Sequence, residues 1–337
     1  MKSAAEKSLQ NKQLDWQEVL LCADRNLVVP ALFFSLNRSD LFKYIPKDLA
    51  GYLHAVWTLN RRRNRMLRRA MIAVCARLNK LGIRPVLLKG AAALTEDEES
   101  GLFDRVMYDL DLFIPAGRSG EAQEFLKTQG YVPFYDNETF WTHHHHHEVA
   151  LQHAEFPVSI ELHKYILPLK KLSDIPGSIQ EDSRKIRLDG AEMLLPGPTF
   201  RVFYNFVDHS LHDDFFFQNR IDIKRLYEFV QLRLIRDMEI KYREVQSYCR
   251  KKGIHTVWLT YCLSARRLFC CPTPYSVSRF SYAAYKEYQT RLSARFPFLC
   301  FIWYWLLRGR RLPVRLMTPS WYPMKLRSFL SSREDNA

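Results

Sequence analysis

Asp109 and Asp111 stand two residues apart in Tyr108-Asp-Leu-Asp-Leu-Phe-Ile-Pro115, an otherwise apolar run. Extended backbone alternates its side chains, so a strand here sends both carboxylates to one face and Leu110 and Leu112 to the other. Two like charges so close raise each other's pKa and cost free energy unless a cation lies between them. Oxygen-only donors on a rigid strand suit Mg²⁺. A third carboxylate, Glu161, sits in the run Val158-Ser-Ile-Glu-Leu-His163. His163 follows it by two residues and shares its face, where it orients the carboxylate, meets substrate or packs as a hydrogen-bonded buried histidine. Upstream, Arg84-Pro-Val-Leu-Leu-Lys-Gly90 ends an apolar run in glycine, and Gly90-Ala-Ala-Ala-Leu94 starts a helix whose N-terminus faces the strand end.

The elements that must position these residues follow from period. Residues 1–80 read as helical, with a long helix from about Gly51 to Leu81 that ends at Lys80-Leu-Gly82. Six arginines crowd positions 61 to 69. Without interleaved aromatics they read as a solvated face beside an apolar stripe of Met66, Leu67, Met71, Val74 and Leu78. Residues 81–170 change period. Val86-Leu-Leu88 is a buried strand, Asp109 to Ile114 the next, and Ser119 caps a helix running to about Thr128. Val149 to Gln152 and Val158 to His163 form two strands joined by a turn at Glu155 to Pro157. The acidic run Glu96-Asp-Glu-Glu99 is an exposed loop. After Pro168 the chain reads as helical, with segments Thr199 to about Leu211, Arg220 to Leu234, Met238 to Lys252 and Thr256 to Phe269. The division is therefore a helical segment 1–80, a core 81–170, a helical domain 171–270 and a basic, aromatic-rich segment 271–337. The expected class is α/β (α+β), a small mixed sheet flanked by helices.

Composition narrows the partners. Over 337 residues, basic side chains exceed acidic ones by 14, which attracts nucleotides, nucleic acid and anionic lipid alike. Seven cysteines form no C-x-x-C pair, and Met1 to Glu18 has no apolar signal core, so a cytoplasmic location is expected. The twelve apolar or aromatic residues from Phe296 to Leu307 fall short of the roughly 20 that span a bilayer. With the arginines that follow, the stretch 296–315 docks on protein or touches a membrane surface. His143 to His147 reads as an exposed loop that binds metal adventitiously. His209, His212 and Asp222 read as polar helix-packing residues.

Taken in order, a strand, a glycine turn opening a helix, a strand with two aspartates and a later strand with a third acid resemble the polymerase β-type nucleotidyltransferase superfamily. Within it the chain resembles the uncharacterised nucleotidyltransferase family, whose signature is an L-K-G-x-A-L turn, an Arg shortly before D-h-D-L, and an E-L-H strand. The matching residues are Leu88-Lys-Gly-Ala-Ala-Ala-Leu94, Arg105-Val-Met-Tyr-Asp-Leu-Asp-Leu112 and Ile160-Glu-Leu-His163. Asp208-His-Ser-Leu-His212 and Arg220-Ile-Asp-Ile223 match more loosely, and the likeness covers about residues 60 to 235.

The resemblance implies an Mg²⁺-dependent transfer of a nucleoside monophosphate from an NTP such as ATP to an acceptor hydroxyl. Asp109 and Asp111 would bridge two ions, and Glu161 would hold the metal near the acceptor and help deprotonate it. Lys89, Gly90, Ala91 and Arg105 would form the phosphate cradle, although Lys89 and Arg105 have a rival partner in the acidic loop at 96–99. Ala91 departs from the Ser or Gly common after that glycine and loses a hydroxyl contact to phosphate. The acceptor is a small molecule, peptide, protein or RNA. Two alternatives remain: a catalytically weakened nucleotide-binding or interaction module of the same fold, and a peripheral membrane protein held by 296–315.

Overall fold

The computed structural model describes residues 6–7, 14–134, 147–167 and 183–296, together with 169, 172, 174, 175, 177, 298 and 299. Three helices lead in: α1 (Trp16–Arg25), α2 (Val29–Arg38) and the long α3 (Lys47–Asn79). The sheet segment follows with β1 (Val86–Leu87), a short α4 (Lys89–Ala93), β2 (Asp109–Phe113), α5 (Ser119–Thr128), β3 (Val132–Pro133), β4 (Leu151–His153) and β5 (Phe156–His163). A hairpin of β6 (Arg184–Leu188) and β7 (Ala191–Leu195) comes next. Helices α6 (Pro198–Val207), α7 (Phe215–Gln218), α8 (Ile223–Arg236), α9 (Tyr242–Lys251), α10 (His255–Phe269) and α11 (Tyr282–Arg295) complete the described chain.

The seven strands make one mixed sheet in the order β3-β4-β5-β2-β1-β7-β6. Alternation along β2 and β5 divides their side chains between two apolar layers. Leu110, Leu112, Ile160 and Leu162 pack with Leu67, Met71, Val74 and Leu78 of α3 and with Ala122 and Leu126 of α5. The opposite face turns towards α6, α8 and α10, where Phe200, Phe203, Phe206, Phe229, Trp258 and Tyr261 build a second core with Val86 and Leu88. A third cluster joins α1, α2 and the start of α3 through Phe33, Leu36 and Leu53. With helices on both faces, a strand such as Val86-Leu-Leu88 is apolar throughout, as its sequence indicates.

Four local expectations change. The chain after Pro168 is not wholly helical, because β6 and β7 pair antiparallel and β7 joins β1 in parallel, at Val86 opposite Leu194. Positive φ at Asp189 and Gly190 makes the tight turn between them. Met66 is exposed, so the α3 stripe begins at Leu67. Ser119 does not cap α5; its hydroxyl donates to Glu148 at 2.7 Å. The acidic run is not free in solvent either. Glu96 is buried and pairs with Arg201, while Glu98 takes Arg61 at 3.0 Å and Arg65 at 2.7 Å. Part of the arginine run is therefore structural, and Arg61 is itself buried under this pairing.

The same helix fixes the approach to β2. Asn60 donates to the Asp104 carbonyl at 3.0 Å, and Asn64 donates to those of Phe103 and Arg105 at 2.6 and 2.9 Å. Gly101 (φ +75°) lets the loop pass Phe34 and Gln231, where a Cβ would come within 2.7 Å of the Phe34 ring. No helix among the described residues is long and apolar enough to cross a membrane. Apart from Phe296, Phe298 and Leu299, the stretch 296–315 lies outside the described residues, as do His143 to His146.

Candidate metal centre

Strands β2 and β5 run parallel with Asp111 opposite Glu161 and Phe113 opposite His163. That register gathers Asp111, Glu161 and His163, with one donor atom from each lying within 4.8 Å of the others. Asp109 is on the same face one pleat earlier, opposite Ser159. It falls outside that close group and acts on Asp111 and Glu161 through its charge. Of the three carboxylates expected from sequence, two are brought together and the third flanks them.

Asp111 is almost fully buried and carries two cationic or donor neighbours on a single oxygen. Lys89 Nζ and His163 Nε2 both lie 2.9 Å from Oδ1. Burial opposes its charge, yet Lys89 and His163 outweigh burial and hold the carboxyl well below the usual carboxylate range. Its other oxygen, Oδ2, is buried and receives no hydrogen bond. An ionised carboxylate with one uncompensated oxygen, in a residue clustered with Glu161, fits a hard divalent cation. His163 is thus neither free for substrate nor idle: it donates to Asp111 and is fully buried.

Glu161 behaves in the opposite sense. Burial first, and then the charges of Asp111 and Asp109, push its carboxyl up to about 8. Asp109 is raised for the same reasons in the same order, burial and then Asp111. Without a cation, Glu161 therefore keeps its proton at neutral pH. The sign of the stability effect follows: between about pH 4.5 and 8 the folded state holds a proton that the unfolded state has lost, so stability falls as pH rises through that window. In metal-free protein, Glu161→Gln should remove this decline and melt higher than wild type at pH 8, with the two curves converging towards pH 5. Melting curves in EDTA across that range check it. A parallel pH slope in both proteins would contradict the assignment.

Lys89 begins α4 with φ +42°, an uncommon backbone for a residue with a side chain, and the turn aims it at Asp111. Burial works against its ammonium, but Asp111 and Asp208 outweigh it and raise its pKa well above the ordinary lysine value. At Gly90 a Cβ would meet Met107 Sδ at 2.9 Å and lie 3.5 Å from Arg105 Nη1, so a larger residue would have to displace the Met107 side chain. Ala91 buries its methyl in the core between the sheet and α3. A hydroxyl at that position would be directed into apolar packing, so only the backbone of Ala91 is placed at the turn. Neither Lys89 nor Arg105 pairs with the acidic loop; Arg105 is buried, with Nε 2.9 Å from Glu228.

Apart from Asp208, which opens the looser Asp208-His-Ser-Leu-His212 match, the far wall comes from residues that the sequence does not single out. Asp208 opens a π-helical turn, Asp208–His212, that continues α6, and it pairs with Arg225 of α8. Arg225 Nη1 is also 3.7 Å from Glu228. Burial favours a neutral Asp208, but Arg225 and Lys89 keep it below the ordinary range. Tyr204, Asn205, Arg225 and Glu228 line a partly open space of about 40 Å³ beside Lys89, far below the several hundred Å³ of a ligand pocket. The available signal was in α8: Arg225 and Glu228 interrupt the stripe of Leu226, Phe229 and Val230, and charges on a buried stripe mark an internal ion pair.

His147 also belongs to this centre, contrary to its reading as exposed loop. It is buried, bridges to His163, and turns Nε2 to within 3.7 Å of Glu161. Its Nδ1 faces the Glu148 carbonyl at 2.6 Å, which requires Nδ1 to carry a hydrogen. Asp222 caps α8 by accepting from the Arg225 N–H at 3.0 Å. His209 packs between Phe215 and Tyr261, and burial drives its pKa to about 3. His212 sits 3.2 Å from Asp213, which raises its pKa.

A family described as uncharacterised nucleotidyltransferase matches residues 12–270. No curated protein matches the chain. Among solved structures, the chain is similar to the solution structure of the antibiotic-resistance factor ANT(2'')-Ia. That match has 11% identity and a TM-score of 0.36, and covers 58% of this chain and 94% of that one.

Proposed function

The chain belongs to the uncharacterised nucleotidyltransferase family, and on that premise we propose that it moves a nucleoside monophosphate from an NTP to an acceptor hydroxyl with Mg²⁺ held by Asp109, Asp111 and Glu161. The observation that carries this reading is the uncompensated Oδ2 of Asp111, buried beside Glu161 in the β2–β5 register. Bound Mg²⁺, as a two-ion site, would stabilise negative charge on the attacking and leaving oxygens of an in-line displacement.

The chain's own side chains divide the remaining work. Lys89 and His163 keep Asp111 ionised in a buried setting, so its oxygens remain acceptors at neutral pH. Glu161, ionised once the cation is bound, would hold the ion near the acceptor and take the acceptor's hydroxyl proton on its free carboxylate oxygen. Lys89, at the start of the turn, and Arg105, beside Gly90, would supply positive charge to phosphate there. The α4 helix has only five residues, so charge from these side chains is more important than its dipole. A cytoplasmic setting is part of this proposal, and the free thiols of Cys75, Cys249 and Cys262 are in keeping with it.

The test is label transfer. Wild type, Mg²⁺ and NTPs labelled at the α-phosphate are incubated with pools of RNA, protein and small molecules. Label should move to one pool with wild type and not with Asp109→Asn. Transfer by the variant at the wild-type rate would remove Asp109 from the mechanism.

A further inference from the structure

Helix α11 presents two unlike faces. Inward, Ala283, Lys286 and Thr290 are buried; the Ala283 carbonyl accepts from Thr260 at 3.4 Å, and Lys286 Nζ donates to Asn219 at 2.5 Å. Outward, Tyr282, Tyr285 and Tyr288 recur every three residues along one side, each about half exposed, and Phe280 precedes them largely in solvent. The end of α10 adds Arg266, and the chain before α11 adds Arg279. With Phe280, Tyr285, Tyr288 and Arg291 they line a groove of about 520 Å³, the size of a ligand site. Arginine and ring alternate within it: Arg279 lies over Phe280 at 4.8 Å and Arg291 over Tyr288 at 5.2 Å. Positive charge is in excess here. Glu287 is the acid among the lining residues, and it takes Arg291 at 3.1 Å and Arg267 at 3.8 Å. Arg266 and Arg279 make no salt bridge among the described residues.

We propose that this groove binds single-stranded RNA, with bases stacked on Tyr285 and Tyr288 and phosphates met by Arg266 and Arg279. Rings interleaved with arginines match splayed bases on a phosphate backbone, and every base offers a face to stack. Other occupants fit less well. Residues 300–337 carry seven basic and two acidic side chains, so the chain's own C-terminal segment repeats the charge of the groove instead of complementing it. A second copy meeting it face to face would do the same. A membrane-bound helix inserts a continuous apolar stripe, whereas these rings stand between arginines in a concave wall. The choice of RNA over a DNA strand rests on the cytoplasmic setting proposed above. The groove contains none of the carboxylate-site residues, so this inference and the nucleotidyltransferase reading can each fail alone.

Fluorescence anisotropy with a labelled single-stranded RNA of about 12 nucleotides, its duplex and the matching DNA strand tests it. Wild type should bind the single strand, and the duplex more weakly, because paired bases are already stacked. Tyr285→Ala with Tyr288→Ala should weaken single-strand binding about 10²-fold, roughly tenfold for each lost ring. Tyr285→Phe with Tyr288→Phe keeps both stacking faces and should retain most of the affinity. Arg279→Gln should flatten the slope of log affinity against log salt by about 0.7, the loss of one phosphate contact. Unchanged RNA binding by the alanine pair, or an equal loss in the phenylalanine pair, would overturn the inference. So would tighter binding of the duplex or the DNA strand than of the RNA strand. Flotation with phosphatidylglycerol vesicles that the alanine pair abolishes, with RNA binding untouched, would make the face a membrane contact and overturn it as well.

Discussion

Asp111→Asn should reduce nucleotidyl transfer by at least ~10²–10³-fold, the scale of removing one group that stabilises charge in a transition state. The substitution keeps shape and one hydrogen-bond acceptor, so its effect isolates charge. Asp111 is the most constrained acid of the site: almost fully buried, contacted by Lys89 and His163 on Oδ1, and left with Oδ2 unpaired. Neutralising it strands the Lys89 ammonium in a buried position with Asp208 as the other acid acting on it. Breaking one side of a buried pair costs about 3–5 kcal/mol, and the retained amide keeps this change towards the lower end. The variant should therefore fold with a lowered melting temperature and show no measurable label transfer. Activity within tenfold of wild type would show that Asp111 holds no reacting cation.

Arg225→Leu should be the most destabilising single change in this wall, again about 3–5 kcal/mol. Its guanidinium is buried and serves Asp208 and Glu228 together. In wild type, Asp208 is held below the ordinary range, so its contribution is present above the unfolded value of about 4 and is lost as pH falls through the lower folded value. Without Arg225, burial dominates and the Asp208 pKa should rise above the unfolded value. The sign then reverses, and the variant should lose stability as pH rises from about 4 towards neutral. The gap between the two proteins should therefore widen over that range in denaturant titrations. A gap independent of pH would mean that packing, and not charge, explains the role of Arg225.

The carboxylate face was legible because strand alternation has a period of two and leaves little freedom. Once Asp109 to Phe113 is a strand, Leu110 and Leu112 must face the core and both aspartates the other side. Glu161 was legible by the same rule, but the register that sets it opposite Asp111 and not Asp109 comes from long-range pairing that no local pattern encodes. The hairpin β6–β7 was missed because Arg184 to Leu188 has exposed basic residues at an edge and resembles loop, while β7 is buried only through its neighbour β1. His147 was misread for a similar reason: a run of identical residues carries no periodicity, and only the bridge to His163 brings this one to Glu161. The pairing of Arg105 was not legible because its partner, Glu228, lies 123 residues further along the chain.

Asp109, Asp111 and Glu161 are proposed to form a divalent-metal and nucleotide site. Its most direct measurement is calorimetric titration of wild type with a non-hydrolysable NTP analogue, with Mg²⁺ and then with EDTA. Metal-dependent binding is predicted: a clear isotherm with Mg²⁺, little or none in EDTA, and loss of the Mg²⁺ isotherm in Asp111→Asn. An identical isotherm in EDTA, retained in Asp111→Asn, would contradict the account.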